Sequence, residues 1–540
     1  MSNLIHRSSV ILSLPALLAA LAVAVPLLVV LGSLLAEGGA TWAHLRSTVL
    51  TDYVRNSLQL MALTGIFAAL FGVTSGWLVG ACQFPGRRVM SWLLMLPLAA
   101  PAYVVAYAYT DLLEVSGPMQ TALRAALSLT PDQLKLPPIR TLPGAALLLS
   151  LVLYPYVYLL SRNSFASRSG VHFDAARVLG AGPLEAFFRI SLPAARPAIA
   201  GGLALVLMET LADFGVVEYF SVPTLSSGLY RTWIGLGDKT AALKLAAVML
   251  LFVLALVGFE RAGRRGGVDK TDLSRPNRTA LKGWSAAAAL GFCLGLVCLG
   301  FVIPMGLLTY YAVTTGDAMW GRGFGQYLAN SLSVSTLAAG LCTGLALLLS
   351  YSRRLNSGIV NASLLQVATL GYALPGVLLA VALLGPVGAL DRWISGWLPG
   401  HGGGLLIAGT LFALIYAYVC RFLTVAFQTV SSGMESISPD IDAAARSLGA
   451  SPLAVVRRIH WPLLRPSLAA SVLLVFVDVM RELPATLLLR TFNFDTLATR
   501  VYRLASDERL DEAATAALCI VAAGILPVLL LNRVTGSRKK

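Results

Sequence analysis

Five ionisable side chains interrupt stretches that are otherwise apolar: Glu209 and Asp213 in one, Asp478, Arg481 and Glu482 in another. The acids of each pair are four residues apart, which puts both carboxylates on one face of a helix. The two pairs are also equivalent, at a common offset of 269 residues. A charge inside a membrane span costs at least about 2.5 to 3.5 kcal/mol on insertion scales, so its default explanation is functional. Carboxylate oxygens suit hard cations, and the chemistry implied is passing compensation for a cation in transit. The structural alternative is that these acids neutralise Arg481 and arginines near span ends, such as Arg490.

Other chemistry is excluded residue by residue. The run from Gly235 to Thr240 echoes the end of a phosphate-binding loop but lacks the glycine before Lys239. Gly321, Gly323 and Gly325 form a glycine pattern with no strand before it. His6, His44, His172, His401 and His460 form neither a catalytic triad nor a metal-like cluster, and no metal site is assigned. The six cysteines lie in or beside apolar runs, so packing is their role rather than disulfides or zinc. No catalytic residue is proposed, and the chain is not read as an enzyme.

The elements that carry the five charges are membrane spans. Of 540 residues, 57% are hydrophobic and only 12% charged, against roughly a quarter charged in soluble domains. A crossing takes about 20 apolar residues. Runs beginning near Val10, Asn56, Met90, Leu142, Pro197, Ala241, Trp284, Asn330, Ala362, Gly404, Pro466 and Ala513 predict an all-α polytopic protein of twelve transmembrane helices. The first is too long, and too poorly followed by a small-residue cleavage site, for a removable signal peptide. Gly72, Gly76 and Gly80 lie every fourth residue, a helix-packing face. The net charge of +15 invites a nucleic-acid reading, but its distribution contradicts it. With a cytoplasmic N-terminus, cytoplasmic segments hold 26 Lys and Arg against 8 acids, and outer segments 14 against 14. That is the positive-inside rule, with both termini cytoplasmic.

The chain repeats itself. Residues 174–197 match residues 443–466 at 13 of 24 positions without a gap; Asn56-Ser57-Leu58 recurs as Asn330-Ser331-Leu332, and Pro101 as Pro375. Two six-helix units, 1–260 and 284–540, therefore flank a basic cytoplasmic linker, 261–283. An even number of spans separates them, so they share one orientation in the membrane.

The best-matched stretch is a cytoplasmic loop between the fourth and fifth spans of each unit. Residues 173–179 are good helix formers that stop at Gly180, suited to a left-handed C′ position, and Gly182-Pro183 restarts a helix. The second copy uses Gly449, Ser451 and Pro452. Leu184, Phe187 and Phe188 then form an apolar face, with Leu453, Val456 and Ile459 as counterparts. An interfacial helix is one reading; a docking helix for a cytoplasmic partner is the other.

Asp174, Ala175, Ala176, Gly180, Ile190 and Pro193, repeated as Ala444, Ala445, Gly449, Ile459 and Pro462, resemble the EAA loop of binding-protein-dependent ABC importer permeases. The opening acid differs: Asp174 in one copy is Ala443 in the other, with Asp442 one residue earlier. The resemblance implies that each loop inserts a coupling helix into one of two copies of a cytoplasmic ABC ATPase. ATP and Mg then belong to that partner, and no cofactor to this chain.

A second resemblance covers nearly the whole chain. Residues 209–215, 481–490 and 493–500 are similar to fused permeases of ferric iron importers. This implies a bacterial inner-membrane protein that takes Fe(III) from a periplasmic iron(III)-binding protein, with Glu209, Asp213, Asp478, Arg481 and Glu482 along the translocation pathway. Permeases for thiamine, phosphonates or polyamines share the doubled design. A self-powered secondary transporter is disfavoured, because it needs no docking loops. Lipid is the surrounding medium, and nucleic acid is not a partner.

Overall fold

The computed structural model describes residues 2–167, 182–264, 278–321, 323–356, 358–397, 407 and 410–537. Among these, ten helices are long and apolar enough to cross a membrane, from Leu14–Gly32 to Val456–Met480. A further pair, Arg87–Ala99 with Ala102–Leu127, meets the same test jointly but is bent by 90°. The chain is all-α apart from two-residue strands Cys82–Gln83 and Thr279–Ala280, which pair in parallel.

The run expected from Met90 is thus a broken helix, and the repeated proline explains the break. Proline disfavours helical geometry in the residue before it. Ala100, before Pro101, is extended at φ −92° and ψ 127°, and Leu374, before Pro375, at φ −84° and ψ 124°. Each proline then opens a new helix, Ala102–Leu113 or Gly376–Trp397, where its missing N–H costs nothing. The run placed from Gly404 is also corrected: the helix is Phe412–Glu435. That shift brings Arg421, which the sequence reading left outside the spans, well inside one.

Two compact units are discontinuous in sequence. One comprises Met1–Gly39, Thr232–Ala247 and Gly321–Thr499; the other comprises Ala40–Arg231, Val248–Trp320 and Arg500–Lys540. Repeat halves and compact units are therefore different partitions of one chain. The opening helix Ser2–Gly32 packs within the unit of the second copy, where the Tyr416 hydroxyl donates to Ala22 O at 2.7 Å. The closing helix Leu510–Ser537 belongs with the first copy.

In the first copy, the glycine face does what its spacing predicts. Helix Leu50–Ala81 lies so close to Leu142–Ser167 that a Cβ at Gly72 would stand 2.6 Å from Val157 Cβ, and one at Gly80 2.9 Å from Arg162 O. Gly202 lets Leu192–Ala212 approach the same Val157. The second copy, centred on Phe324–Leu355, Phe412–Glu435 and Trp461–Met480, buries alanines and branched side chains such as Ala338, Ala346, Leu414 and Val475.

Candidate functional site

Two constellations repeat: a break that follows helix Leu192–Ala212 or Trp461–Met480, and the segment that precedes that helix.

At the first break, Glu209 is in the last turn of Leu192–Ala212 and Asp213 caps it. The Asp213 carboxylate accepts the N–H groups of Val216 (3.0 Å) and Val217 (3.3 Å), so it also caps the next short helix, Gly215–Tyr219. Gly215 is required there, since a Cβ would stand 2.6 Å from Tyr103 Cβ. At the second break, Asp478 is in the last turn of Trp461–Met480, Arg481 is its C-cap and Glu482 follows. Glu482 accepts the Ala485 N–H at 3.2 Å, capping Pro484–Leu489, as its counterpart does. It also pairs with Arg421 at 3.3 Å, with Glu482 6% and Arg421 11% exposed. Arg481 pairs with Asp478 at 2.6 Å, and Arg490 with Asp495 at 2.6 Å. The structural alternative weighed from the sequence is thus partly realised, with Arg421 as the partner it missed. Among the described residues no group of three or more His, Cys, Asp or Glu could hold a metal ion.

The recurring Asn-Ser pair clamps the far side of each break. Asn56 Nδ2 donates to Pro223 O at 3.0 Å and Ser57 Oγ accepts the Leu225 N–H at 3.0 Å. Asn330 donates to Asp495 O at 2.9 Å, and Ser331 accepts the Leu497 N–H at 2.8 Å. In both copies the clamped turn starts a helix, through Thr224 with Ser227 and Thr496 with Thr499.

Of the two repeated segments, Asp174, Ala175, Ala176 and Gly180 lie outside the described residues. Ile190 is in a π-turn, Phe187–Ser191, and Pro193 is in the first turn of Leu192–Ala212. In the second copy, Ala444 and Ala445 belong to Pro439–Ser447, and Gly449 adopts φ +80°, the left-handed turn its spacing predicts. Ser451 caps the next helix, its Oγ accepting the Ala454 N–H at 3.3 Å. Ile459 lies in the matching π-turn, Val456–His460, followed by Pro462. Proline lacks an N–H and crowds the carbonyl four residues back. The helix widens by one residue just before it: Leu192 N–H bonds Phe187 O, and Trp461 N–H bonds Val456 O. Such single π-turns are frequent at functional sites.

The expected apolar knob is divided in the first copy. Phe188 is 62% exposed, whereas Phe187 turns inward against Trp77 (ring centroids 5.0 Å) and Phe165 (6.1 Å). In the second copy, Leu448 is 87% exposed beside the Gly449 turn.

Comparison with known proteins agrees with this doubled arrangement. The family model for binding-protein-dependent transport system inner membrane components matches residues 72–261 and again 340–540. The Fe(3+)-transport system permease protein FbpB 2 of Haemophilus influenzae is 24% identical over 90% of this chain and 90% of its own. The ferric transport system permease protein FbpB of Actinobacillus pleuropneumoniae is 24% identical over 84% of this chain and 66% of its own. The molybdenum transport system permease protein ModB of Escherichia coli is 29% identical over 38% of this chain and 94% of its own. With two family domains and paired breaks, the chain belongs to the inner-membrane components of binding-protein-dependent transport systems, as a multi-pass permease carrying the unit twice.

Proposed function

We propose that this permease carries Fe(III) from periplasm to cytoplasm as the membrane component of an ABC importer. The observation that carries the reading is end-to-end similarity to a ferric permease over 90% of both chains; the molybdenum permease matches 38% of this one. Two copies of a cytoplasmic ATPase dock on the two segments, one through Asp174, Ala175, Ala176, Gly180, Ile190 and Pro193, the other through Ala444, Ala445, Gly449, Ile459 and Pro462. ATP and Mg reside on those partners, and a periplasmic iron(III)-binding protein delivers the ion. Both termini are cytoplasmic, in line with the charge bias.

Glu209, Asp213, Asp478, Arg481 and Glu482 act along the pathway. Free carboxylates closing on a trivalent ion would trap it. Arg481 and Arg421 already hold Asp478 and Glu482, so a passing ion competes with a guanidinium and its contacts stay brief.

The test is uptake of radiolabelled ferric iron by the permease, ATPase and binding protein in proteoliposomes, with molybdate and sulfate as competitors. Iron uptake unaffected by either oxyanion is expected; oxyanion transport without iron transport overturns the assignment. The combined Glu209→Gln and Asp478→Asn variant is expected to assemble and hydrolyse ATP while importing iron slowly. Normal uptake by that variant removes the pathway role.

A further inference from the structure

The second segment is fastened by a half-buried polar relay centred on buried His460. Tyr351 and Arg354 lie one turn apart near the end of helix Phe324–Leu355. Asp442 is in the first turn of Pro439–Ser447, and His460 closes the π-turn. Arg354 Nε donates to Asp442 Oδ2 at 2.8 Å, His460 Nε2 donates to Asp442 Oδ1 at 2.7 Å, and the Tyr351 hydroxyl donates to His460 Nδ1 at 2.7 Å. An ionised carboxylate only accepts, so Nε2 carries a hydrogen, and in the neutral imidazole Nδ1 then accepts from Tyr351. Burial alone would raise the Asp442 carboxyl, but hydrogen bonds from Arg354 and His460 outweigh it and hold the group below the ordinary carboxylate value. Arg354 reaches further, donating to Met434 O at 2.9 Å and Ile437 O at 3.1 Å, at the end of Phe412–Glu435 and just beyond it. His460 is 3% exposed.

The relay ties together the foot of one span, the end of a second, the helix that opens the segment and the π-turn that closes it. None of the four side chains recurs in the first copy. At the repeat offsets, Tyr351 corresponds to Trp77, Arg354 to Gly80, Asp442 to Phe173 and His460 to Ser191.

We propose that Tyr351, His460, Asp442 and Arg354 are positioning residues that lock the second coupling segment to its spans, making it a rigid transmission element. Among the described residues of the first segment, Phe187 packs on Trp77 and Phe165, and such packing constrains direction less than charge-assisted hydrogen bonds do. The inference rests on the coupling reading above. A relay that only stabilised the fold would change how much protein assembles; one that transmits motion sets how much substrate moves per ATP.

The experiment uses the complete complex in proteoliposomes and reads uptake per ATP hydrolysed. Cross-linking of a cysteine placed at Ala450 to the ATPase serves as a separate readout. His460→Ala is expected to lower uptake per ATP about tenfold, and Tyr351→Phe a few-fold, as loss of buried hydrogen bonds implies. Cross-linking stays near that of the parent. The double variant should be no worse than His460→Ala, because Tyr351 acts only through His460. An unchanged ratio in His460→Ala, or losses that multiply independently, overturns the relay. If His460→Ala does not assemble, Tyr351→Phe and His460→Gln carry the same test, and an unchanged ratio in both overturns it. Failure of the parent to cross-link from position 450 overturns the coupling reading itself, a result distinct from failure of the relay.

Discussion

The two repeated segments match at 13 of 24 positions and share a π-turn before a proline, yet the described residues around those turns are fastened by different chemistry. Aromatic rings hold the first, through Trp77, Phe165 and Phe187. The second is held by an arginine, a carboxylate and an imidazole. The same divergence appears at the breaks that follow. Asp213 and Glu482 cap the next helix in equivalent ways, but Glu482 is also paired with buried Arg421. Duplication preserved the backbone devices in both copies: the proline after each π-turn and the carboxylate cap at each break. It left free the side chains that decide how stiffly those devices are mounted.

The largest expected effect separates the two breaks. Glu482→Gln leaves the Arg421 guanidinium without its counter-charge, and breaking a buried pair from one side costs roughly 3–5 kcal/mol. Asp213→Asn keeps a capping oxygen, and asparagine caps about as well as aspartate. Thermal unfolding of the purified protein in detergent should therefore show a large loss for Glu482→Gln and a small one for Asp213→Asn. Replacing Arg421 with glutamine in the Glu482→Gln background should recover much of the loss. Equal losses at the two breaks would erase the distinction drawn between them.

A smaller effect probes the turn of the second segment. Gly449 sits at φ +80°, where a side chain costs about 1–2 kcal/mol and a β-branched one is a real outlier. Gly449→Val should lower uptake about tenfold while membrane insertion is retained. Gly449→Asn should come closer to normal, since asparagine tolerates the left-handed region. Uptake by the valine variant equal to that of the parent would show that this turn does not shape the docking surface.

The sequence displayed the devices and hid their mountings. The recurrence of Asn56-Ser57 as Asn330-Ser331, and of Pro101 as Pro375, was visible as repetition. The break at each proline is local, but the clamp depends on residues 167 and 165 positions away. The acids at the span ends were found because charge is rare in apolar runs. Arg421 escaped because a run placed from Gly404 left it outside the membrane, whereas the helix begins at Phe412. The relay escaped for a more general reason. Matches between the copies drew attention, while Tyr351, Arg354, Asp442 and His460 are all mismatches with Trp77, Gly80, Phe173 and Ser191. Polar residues that replace apolar or small ones together, at buried positions of one copy, are the signal that would have revealed it.

The smallest effect tests the part of the comparison in which the copies do not differ. Ser57 and Ser331 are 3% and 2% exposed, and each accepts a backbone N–H, from Leu225 at 3.0 Å and Leu497 at 2.8 Å. Alanine at either position removes the acceptor and little volume. Each buried N–H loses its partner, at a cost of about 1 kcal/mol or somewhat more. Because bond, burial and the capped turn beyond it are alike, Ser57→Ala and Ser331→Ala should lower the unfolding midpoint by the same amount. The sites are distant in sequence and share no partner, so the double variant should lose the sum. A markedly larger loss at one site would mean that the divergence of the cytoplasmic segments extends to the opposite end of the spans. Equal losses would confine it to the segments and to the Arg421 pairing, leaving the clamp as a device both copies retain unchanged.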